Sequence, residues 1–260
     1  MLNAAEQKKV IDLVYQTKDL IFREMEHAKV TEKGAADFVT NVDVAVQEFL
    51  TKELKEAFPE IDMIAEEKEN LNLSEEKRYW ILDPIDGTTN LIYDYKMSAV
   101  SLGLYEQGEI TMGVVYNPFN GEMFTAVKGE GAFLNGEAIH TSEDVELKNS
   151  VVSYGSCPYD KSHAKKLFPM FERIFVNCAD FRRTGSAALD FCYVACGRQH
   201  GFLELNLKPW DLAAGCLIVE EAGGVSSRWN GEKLPYLKNS DTFASTAKLE
   251  QELRNLLFEI

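Results

Sequence analysis

The 260-residue sequence has no C-x-x-C pair, and its cysteines, Cys157, Cys178, Cys192, Cys196 and Cys216, are odd in number, so neither a disulfide framework nor a zinc knuckle is indicated. Reduced core thiols are the reading that remains. No apolar run approaches the roughly 18 residues of a membrane span, and the N-terminus, M-L-N-A-A-E-Q-K-K-V, lacks the apolar centre of a signal peptide. These absences point to a cytoplasmic protein without membrane attachment. Basic residues are also scarce, 27 against 42 acidic ones, for a formal net charge of -15. Such a chain does not attract nucleic acid or an anionic membrane as its default partner. Repeats, low-complexity tracts and long flexible linkers are absent too.

What is present is apolar content, 45% of residues, enough for a large core in one domain of two intimately packed halves. Val10, Leu13, Val14, Leu20, Ile21 and Met25 keep near-helical spacing from Ala4 to about Glu26. A second helix follows Val42, with Val46, Phe49, Leu50 and Leu54 on one side and Pro59 closing it. Beyond Trp80, A-V-S-L-G-L-Y, I-T-M-G-V-V-Y and E-M-F-T-A-V, joined by tight turns, read as an antiparallel meander that G-E-G-A-F-L-N-G continues. V-V-S-Y-G-S begins a second half, so one domain over 1–260 is expected, with halves of about 1–145 and 146–260. In the second half S-A-A-L-D-F-C-Y-V-A-C-G is a helix stopped at Gly197, and G-F-L-E-L is a strand. D-L-A-A-G-C-L-I-V-E-E-A-G-G is a helix ending at Gly223 and Gly224, with small residues that permit close packing.

Acidic residues stand where structure changes. Glu66 and Glu67 follow the apolar I-D-M-I-A, and taken alone they read as a solvated charge pair. Asp211 opens a helix, where it would cap free N–H groups and favour the positive dipole end; Asp43 reads the same way for the second helix. The stretch W-I-L-D-P-I-D-G-T-T-N resists so ordinary an account. Asp83 terminates a buried strand and Asp86 returns three residues later, with only Pro84 and Ile85 between. Like charges held that close repel, and one pKa rises, unless a cation neutralises them. Magnesium suits the position because it takes oxygen ligands and is usually shared between carboxylates and a substrate phosphate. Gly87, Thr88 and Thr89 then offer close backbone approach, amides and hydroxyls to an anion.

W-I-L-D-P-I-D-G-T-T-N, I-A-E-E and P-W-D-L-A-A-G-C-L-I-V-E-E-A-G-G resemble, in that family's order, the signatures of the inositol monophosphatases, a family of magnesium-dependent, lithium-sensitive phosphatases. D-F-V-T-N-V-D and R-R-T-G-S-A-A-L-D resemble the bacterial branch, so the resemblance covers nearly the whole chain. It implies a layered α/β fold, an αβαβα sandwich of alternating helix and sheet layers, and a homodimer. It also implies two tight Mg2+ sites with room for a third. Glu66, Asp83 and the Ile85 carbonyl would hold the first, Asp83, Asp86 and Asp211 the second, and a weaker ion would lie near Glu66. The implied reaction is hydrolysis of a small-molecule phosphate monoester, myo-inositol 1-phosphate first, by in-line attack of a metal-activated water. Thr88 and Glu66 would orient and deprotonate that water, with Asp43 pairing the threonine hydroxyl. Gly87 and Thr88 amides would cradle the phosphate, and Asp86, Gly185, Ser186, Ala187 and Glu204 would meet substrate hydroxyls. Lys33, in E-K-G-A-A-D, matches a basic residue of a mobile loop near the third metal; a solvated loop lysine is the competing reading. Departures are few: Ala65 and Asn206 stand where the family favours glycine.

Rival substrates on the same fold are fructose 1,6-bisphosphate, phosphoadenosine phosphate, histidinol phosphate and NADP. A bisphosphate needs a second cationic pocket, for which Arg182, Arg183, Arg198 and Lys208 are candidates, against roles in surface ion pairs. A binding or regulatory protein on this fold would show a broken ligand set, and here Glu66, Asp83, Asp86, Thr88 and Asp211 are all present. A calcium-binding structural protein fits poorly, because the carboxylates are scattered along the chain, not gathered into one short loop.

Overall fold

The structure, a computed structural model, describes residues 1–258. Apolar residues at helical spacing make α1 (Ala4–Met25), and after it the hairpin of β1 (Val30–Gly34) and β2 (Asp37–Thr40) leads into α2 (Asn41–Ala57). Next come β3 (Asp62–Ala65) and β4 (Tyr79–Asp86), a single turn α3 (Thr88–Ile92), then β5 (Ala99–Glu106), β6 (Glu109–Asn117), β7 (Glu122–Val127), β8 (Gly131–Leu134) and β9 (Glu137–Ile139). The second half adds β10 (Val151–Tyr154), α4 (Ala164–Phe175), β11 (Asp180–Arg182), α5 (Ala187–Ala195), β12 (Gly201–Leu207), α6 (Pro209–Glu221), β13 (Gly224–Ser227), β14 (Ser240–Thr246) and α7 (Glu250–Phe258). Among the described residues no helix is long and apolar enough to cross a membrane.

Strands β3 to β9 form one sheet in sequence order, and the sheet expected to be antiparallel has one parallel pair, β3 on β4. A second sheet has the order β11-β10-β12-β14-β13 and mixes parallel and antiparallel pairs. The pleat of β4 sorts its side chains between two cores. Trp80 and Leu82 pack with Val14, Val46 and Leu50 of α1 and α2. Tyr79 and Ile81 face Leu189 and Phe191 of α5 and Ala213 and Leu217 of α6. The far side of α5 and α6 covers Phe202 and Ala244 of the second sheet, while Leu167, Phe171, Leu253 and Leu257 of α4 and α7 close its outer face over Leu203 and Phe243. The layers therefore run α, β, α, β, α, as the resemblance implies.

Two features of this packing place chemistry. Asp83 follows Tyr79 and Ile81 on the α6 side of β4, at the strand's C-terminal end. Pro84 lies past Leu82, the last residue paired to β3, and between Asp83 and Asp86 the pairing to β5 shifts register; a residue without an N–H is tolerated at such an irregularity. The other feature is the closeness of α6. A side chain on Gly113 of β6 would stand 2.7 Å from the Ala214 carbonyl oxygen, and one on Gly103 of β5 would stand 3.0 Å from Ala213 Cβ. On the helix itself, a Cβ at Gly215 would come within 2.6 Å of Phe191. The small residues of A-A-G-C thus let α6 lie directly on the β5 and β6 backbones and against α5.

Replacing Gly215 by alanine forces this contact apart, and overpacking of a filled core costs about 1–3 kcal/mol. Urea unfolding is expected to show that loss as a lower midpoint; an unchanged midpoint means that α5 can move aside.

Candidate active site

The N-terminal turns of α2 and α6 carry Asp43 and Asp211, and both carboxylates cap their helices as their positions predict. Thr40 N and Thr40 Oγ1 donate to Asp43 Oδ2, the N–H at 2.9 Å, while Lys208 N donates to Asp211 Oδ2 at 2.9 Å. Capping does not exhaust either residue. Thr88 Oγ1 is 2.9 Å from Asp43 Oδ1 and 3.1 Å from the Ile85 carbonyl, so the second oxygen of the buried Asp43 receives a group from α3. Asp211 reaches the end of β4. Asp83, Asp86 and Asp211 each present an oxygen such that all three lie within 4.8 Å of one another.

No ion pair involves these three residues among the described residues, although Asp83 is only 2% exposed and Asp86 7%. Hydrogen bonds hold the geometry instead. Ile85 N donates to Asp83 Oδ1 at 2.9 Å. Ala188 N, at 2.8 Å, and Ser186 Oγ both donate to Asp86 Oδ2, which therefore sits at the N-terminus of α5. Burial is the main cause that raises the pKa of every carboxyl in the group. Asp86 is pushed up to about 6, against its hydrogen bonds from Ser186 and Ala188. Asp83 is raised by burial and then by the charges of Glu66, Asp86 and Asp211; Asp211 is raised by burial, Asp86 and Glu66.

Glu66 stands beside the trio, outside its tight oxygen contact. Burial pushes it up to about 7, with Lys33 opposing and Glu67 adding to the rise. Lys33 is on a strand of the β1–β2 hairpin, not in an irregular loop. Its Nζ donates to Glu67 Oε1 at 2.6 Å, with Glu66 Oε1 at 3.4 Å and Asp37 Oδ1 at 3.5 Å. Glu67 is thus no free solvated charge.

A cavity of about 310 Å³ opens over these groups. Glu66, Asp83, Ile85, Asp86, Gly87 and Thr88 line it from the first half, and Gly185, Ser186, Ala187, Glu204 and Asp211 from the second; Asp43 and Lys33 do not line it but contact Thr88 and Glu66, which do. Gly87 adopts φ 90°, and a Cβ there would stand 2.9 Å from the Met97 carbonyl oxygen and 3.2 Å from that of Gly185, so glycine is needed for the turn. Asn90 Nδ2 straps the halves together by donating to Met97 O at 2.7 Å and Thr184 O at 2.9 Å. Glu204 is pushed up to about 8 by burial and by Asp190, with Arg183 opposing. It fills the space where Gly155 lacks a side chain, since a Cβ there would be 1.7 Å from its carboxyl carbon.

Other lining residues receive no role in the site from the sequence. Asp190, inside the apolar S-A-A-L-D run, is buried and accepts from Thr184 Oγ1 at 2.7 Å and Gln199 Nε2 at 3.2 Å. Tyr93, Tyr154 and Tyr159 are single aromatics near turns. Of the four basic candidates only Arg183 lines the cavity. Arg182 pairs with Asp180 and Arg198 with Glu122. Asn206, one of the departures, has φ 61°, a conformation in which glycine carries no penalty.

The donor set tests the fit of a cation. Cavity-lining side chains include seven carboxylates, one guanidinium, and no histidine or cysteine. Hard oxygen donors of this kind, with no nitrogen or sulfur ligand beside them, suit magnesium better than zinc.

The family model for inositol monophosphatases matches residues 3–259. Nus factor SuhB of Escherichia coli strain K12 is 40% identical over 217 residues, covering 84% of this chain and 79% of that protein. The crystal structure of extragenic suppressor protein suhB from Bartonella henselae superposes with a TM-score of 0.90 at 32% identity, covering 98% of this chain and 99% of the other. A phosphatase described as IMPase/NADP phosphatase, solved with Mg2+ and phosphate, superposes with a TM-score of 0.89 at 27% identity, covering 97% and 95%. The chain belongs to the inositol monophosphatase family.

Proposed function

We propose that the chain is a magnesium-dependent phosphomonoesterase that hydrolyses the phosphate ester of a small polyol, myo-inositol 1-phosphate first among them. The observation that carries this reading is the trio of buried Asp83 and Asp86 with half-buried Asp211, unpaired by any basic side chain among the described residues and adjoining the left-handed turn at Gly87. Asp83, Asp86 and Asp211 would hold one magnesium, and Asp83, Glu66 and the Ile85 carbonyl another. Bound magnesium supplies Lewis acidity, which makes a water nucleophilic near neutral pH and stabilises negative charge on the departing alcohol.

The chain's own groups orient the reactants. Thr88 has one hydroxyl proton, and with Asp43 Oδ1 at 2.9 Å taking it, a lone pair of Thr88 Oγ1 is left to receive the attacking water. Asp43 can accept there because Oδ2 is already satisfied by Thr40. Glu66 is the nearby base that takes the water's proton. Amides of Gly87 and Thr88 cradle the phosphate, where fixed dipoles stabilise charge without reorganising. Ser186 Oγ spends its proton on Asp86, so it fixes that carboxylate for a substrate hydroxyl that Glu204 and the backbone of Gly185 and Ala187 also approach. One guanidinium among seven carboxylates makes a poor second phosphate pocket, which places fructose 1,6-bisphosphate and phosphoadenosine phosphate behind a monophosphate.

The name of the Escherichia coli relative brings a second reading to this chain, a Nus-factor role on the same fold. The two readings are compatible. A complete carboxylate set supports catalysis, and a binding role would not depend on it.

Phosphate release from inositol 1-phosphate is expected to require magnesium and to be inhibited by lithium; negligible turnover of every inositol monophosphate refutes the substrate assignment. Asp83→Asn should lower that activity at least about a hundredfold, the scale of losing one electrostatic stabiliser of the transition state. Because it removes a repelled buried charge, the variant should melt no lower than wild type in chelator, and undiminished hydrolysis would sink the assignment.

Stability should also depend on pH in a specific direction. The folded pKa values of Asp86, about 6, and Glu66, about 7, lie above the ordinary carboxylate range near 4. The folded chain therefore binds these protons more tightly than the unfolded one. Their stabilisation is fully present below about pH 4 and is lost as pH rises through 6 and 7. Melting of the metal-free protein should fall between about pH 5 and pH 8, with magnesium restoring more stability at the higher pH. A curve that is flat or rises over this interval contradicts the account.

A further inference from the structure

The cavity floor is charged, but its rim is aromatic. Tyr93, just after α3, is 78% exposed, and Tyr159, in the connection from β10 to α4, is 60% exposed. Both line the same cavity from opposite halves of the chain. Exposed rings of this size leave apolar surface in water, and neither hydroxyl has a hydrogen-bond partner among the described residues. The segment that presents Tyr159 is braced to the site. Gly155 N donates to Leu203 O at 2.9 Å, and Gly155 packs on the carboxyl of Glu204. Cys157 turns the chain with φ 46°, and Asp160 N closes the turn on Cys157 O at 3.1 Å. Burial and then the charges of Asp211, Glu66, Asp86 and Glu204 raise the Tyr159 hydroxyl above its ordinary range. Tyr159 thus lines the cavity that holds the carboxylates while most of its side chain stays open to solvent.

We propose that Tyr159 is a specificity-determining residue whose ring, facing Tyr93 across the mouth, is the wall against which the leaving alcohol of the substrate packs. This inference rests on the phosphatase reading. With the phosphate held on the carboxylate floor and the turn at Gly87, the alcohol extends towards the mouth. A ring alcohol offers a flat face of C–H groups to an aromatic surface, as an acyclic alcohol of three carbons cannot.

The test compares inositol 1-phosphate with glycerol 2-phosphate on wild type, Tyr159→Phe, Tyr159→Leu and Tyr159→Ala, all with magnesium. Tyr159→Phe should keep the wild-type KM for both esters. Tyr159→Ala should raise KM for the cyclic ester about fivefold, leaving kcat and the acyclic KM within twofold of wild type. Tyr159→Leu, which keeps bulk without a flat face, should resemble alanine and serves if the alanine variant folds poorly. Equal effects on both esters, no effect on either, or a loss in the phenylalanine variant overturns the proposal while leaving the phosphatase reading in place. A wild type that hydrolyses neither ester overturns both.

Discussion

Mutual repulsion among Asp83, Asp86 and Asp211 is the constraint around which the molecule is arranged. Three carboxyls with oxygens within 4.8 Å of one another, Asp83 and Asp86 buried and none paired with a basic side chain among the described residues, cost stability in the metal-free chain, and burial first and neighbouring carboxylates second raise the pKa of Asp83 and Asp211. Such a group persists only where packing elsewhere over-determines it. That packing is visible in β4, whose pleat commits Tyr79 and Ile81 to the α5/α6 core and so turns Asp83 the same way. It is equally visible in α6, whose Ala213, Ala214 and Gly215 bring the helix onto the backbone of β5 and β6. Asp211, in the first turn of that helix, is delivered to the end of β4 by contacts far more extensive than its own.

Several residues do two jobs with separate atoms. Asp43 caps α2 with Oδ2 and receives Thr88 with Oδ1. Asp211 caps α6 and joins the trio. The dipole at the start of a helix favours a carboxylate for its own reasons, so a cap position is an economical place to hold a charge that catalysis would also use. Asp86 inverts the arrangement: it lies on a strand and borrows the N-terminus of α5 from the other half.

Much of this was legible because it was strongly patterned. Long amphipathic segments showed α1 and α2, and alternation with tight turns showed the β5 to β9 meander. W-I-L-D-P-I-D-G-T-T-N showed the site because two carboxylates at the end of an apolar run have no structural reason to be there. Other parts carried weaker signals. The hairpin strand β1 is exposed throughout and has no alternation to read, so Lys33 looked like a loop residue. Helix α4 contains Pro169, which argues against a helix in isolation, yet Leu167, Phe171 and Ile174 give it an apolar face that the second sheet covers. Strands β11 and β13 are short enough that their neighbours decide them. Asp190 hides in an apolar helix, and Tyr159 is a lone aromatic after a turn; only the fold brings either to the cavity. Capping readings of Asp43 and Asp211 were sound but incomplete, since sequence position reveals one oxygen's partner and not the other's.

Burial favours the protonated forms of Glu66 and Asp86 near neutral pH, and a divalent cation bound at this site would replace those protons. Calorimetric titration of magnesium into the metal-free protein at about pH 6.5, in two buffers of different ionisation enthalpy, measures the protons displaced on binding. With Glu66 near 7 and Asp86 near 6, magnesium binding is predicted to release protons. Binding with no proton release, or no magnesium binding at all, would contradict it.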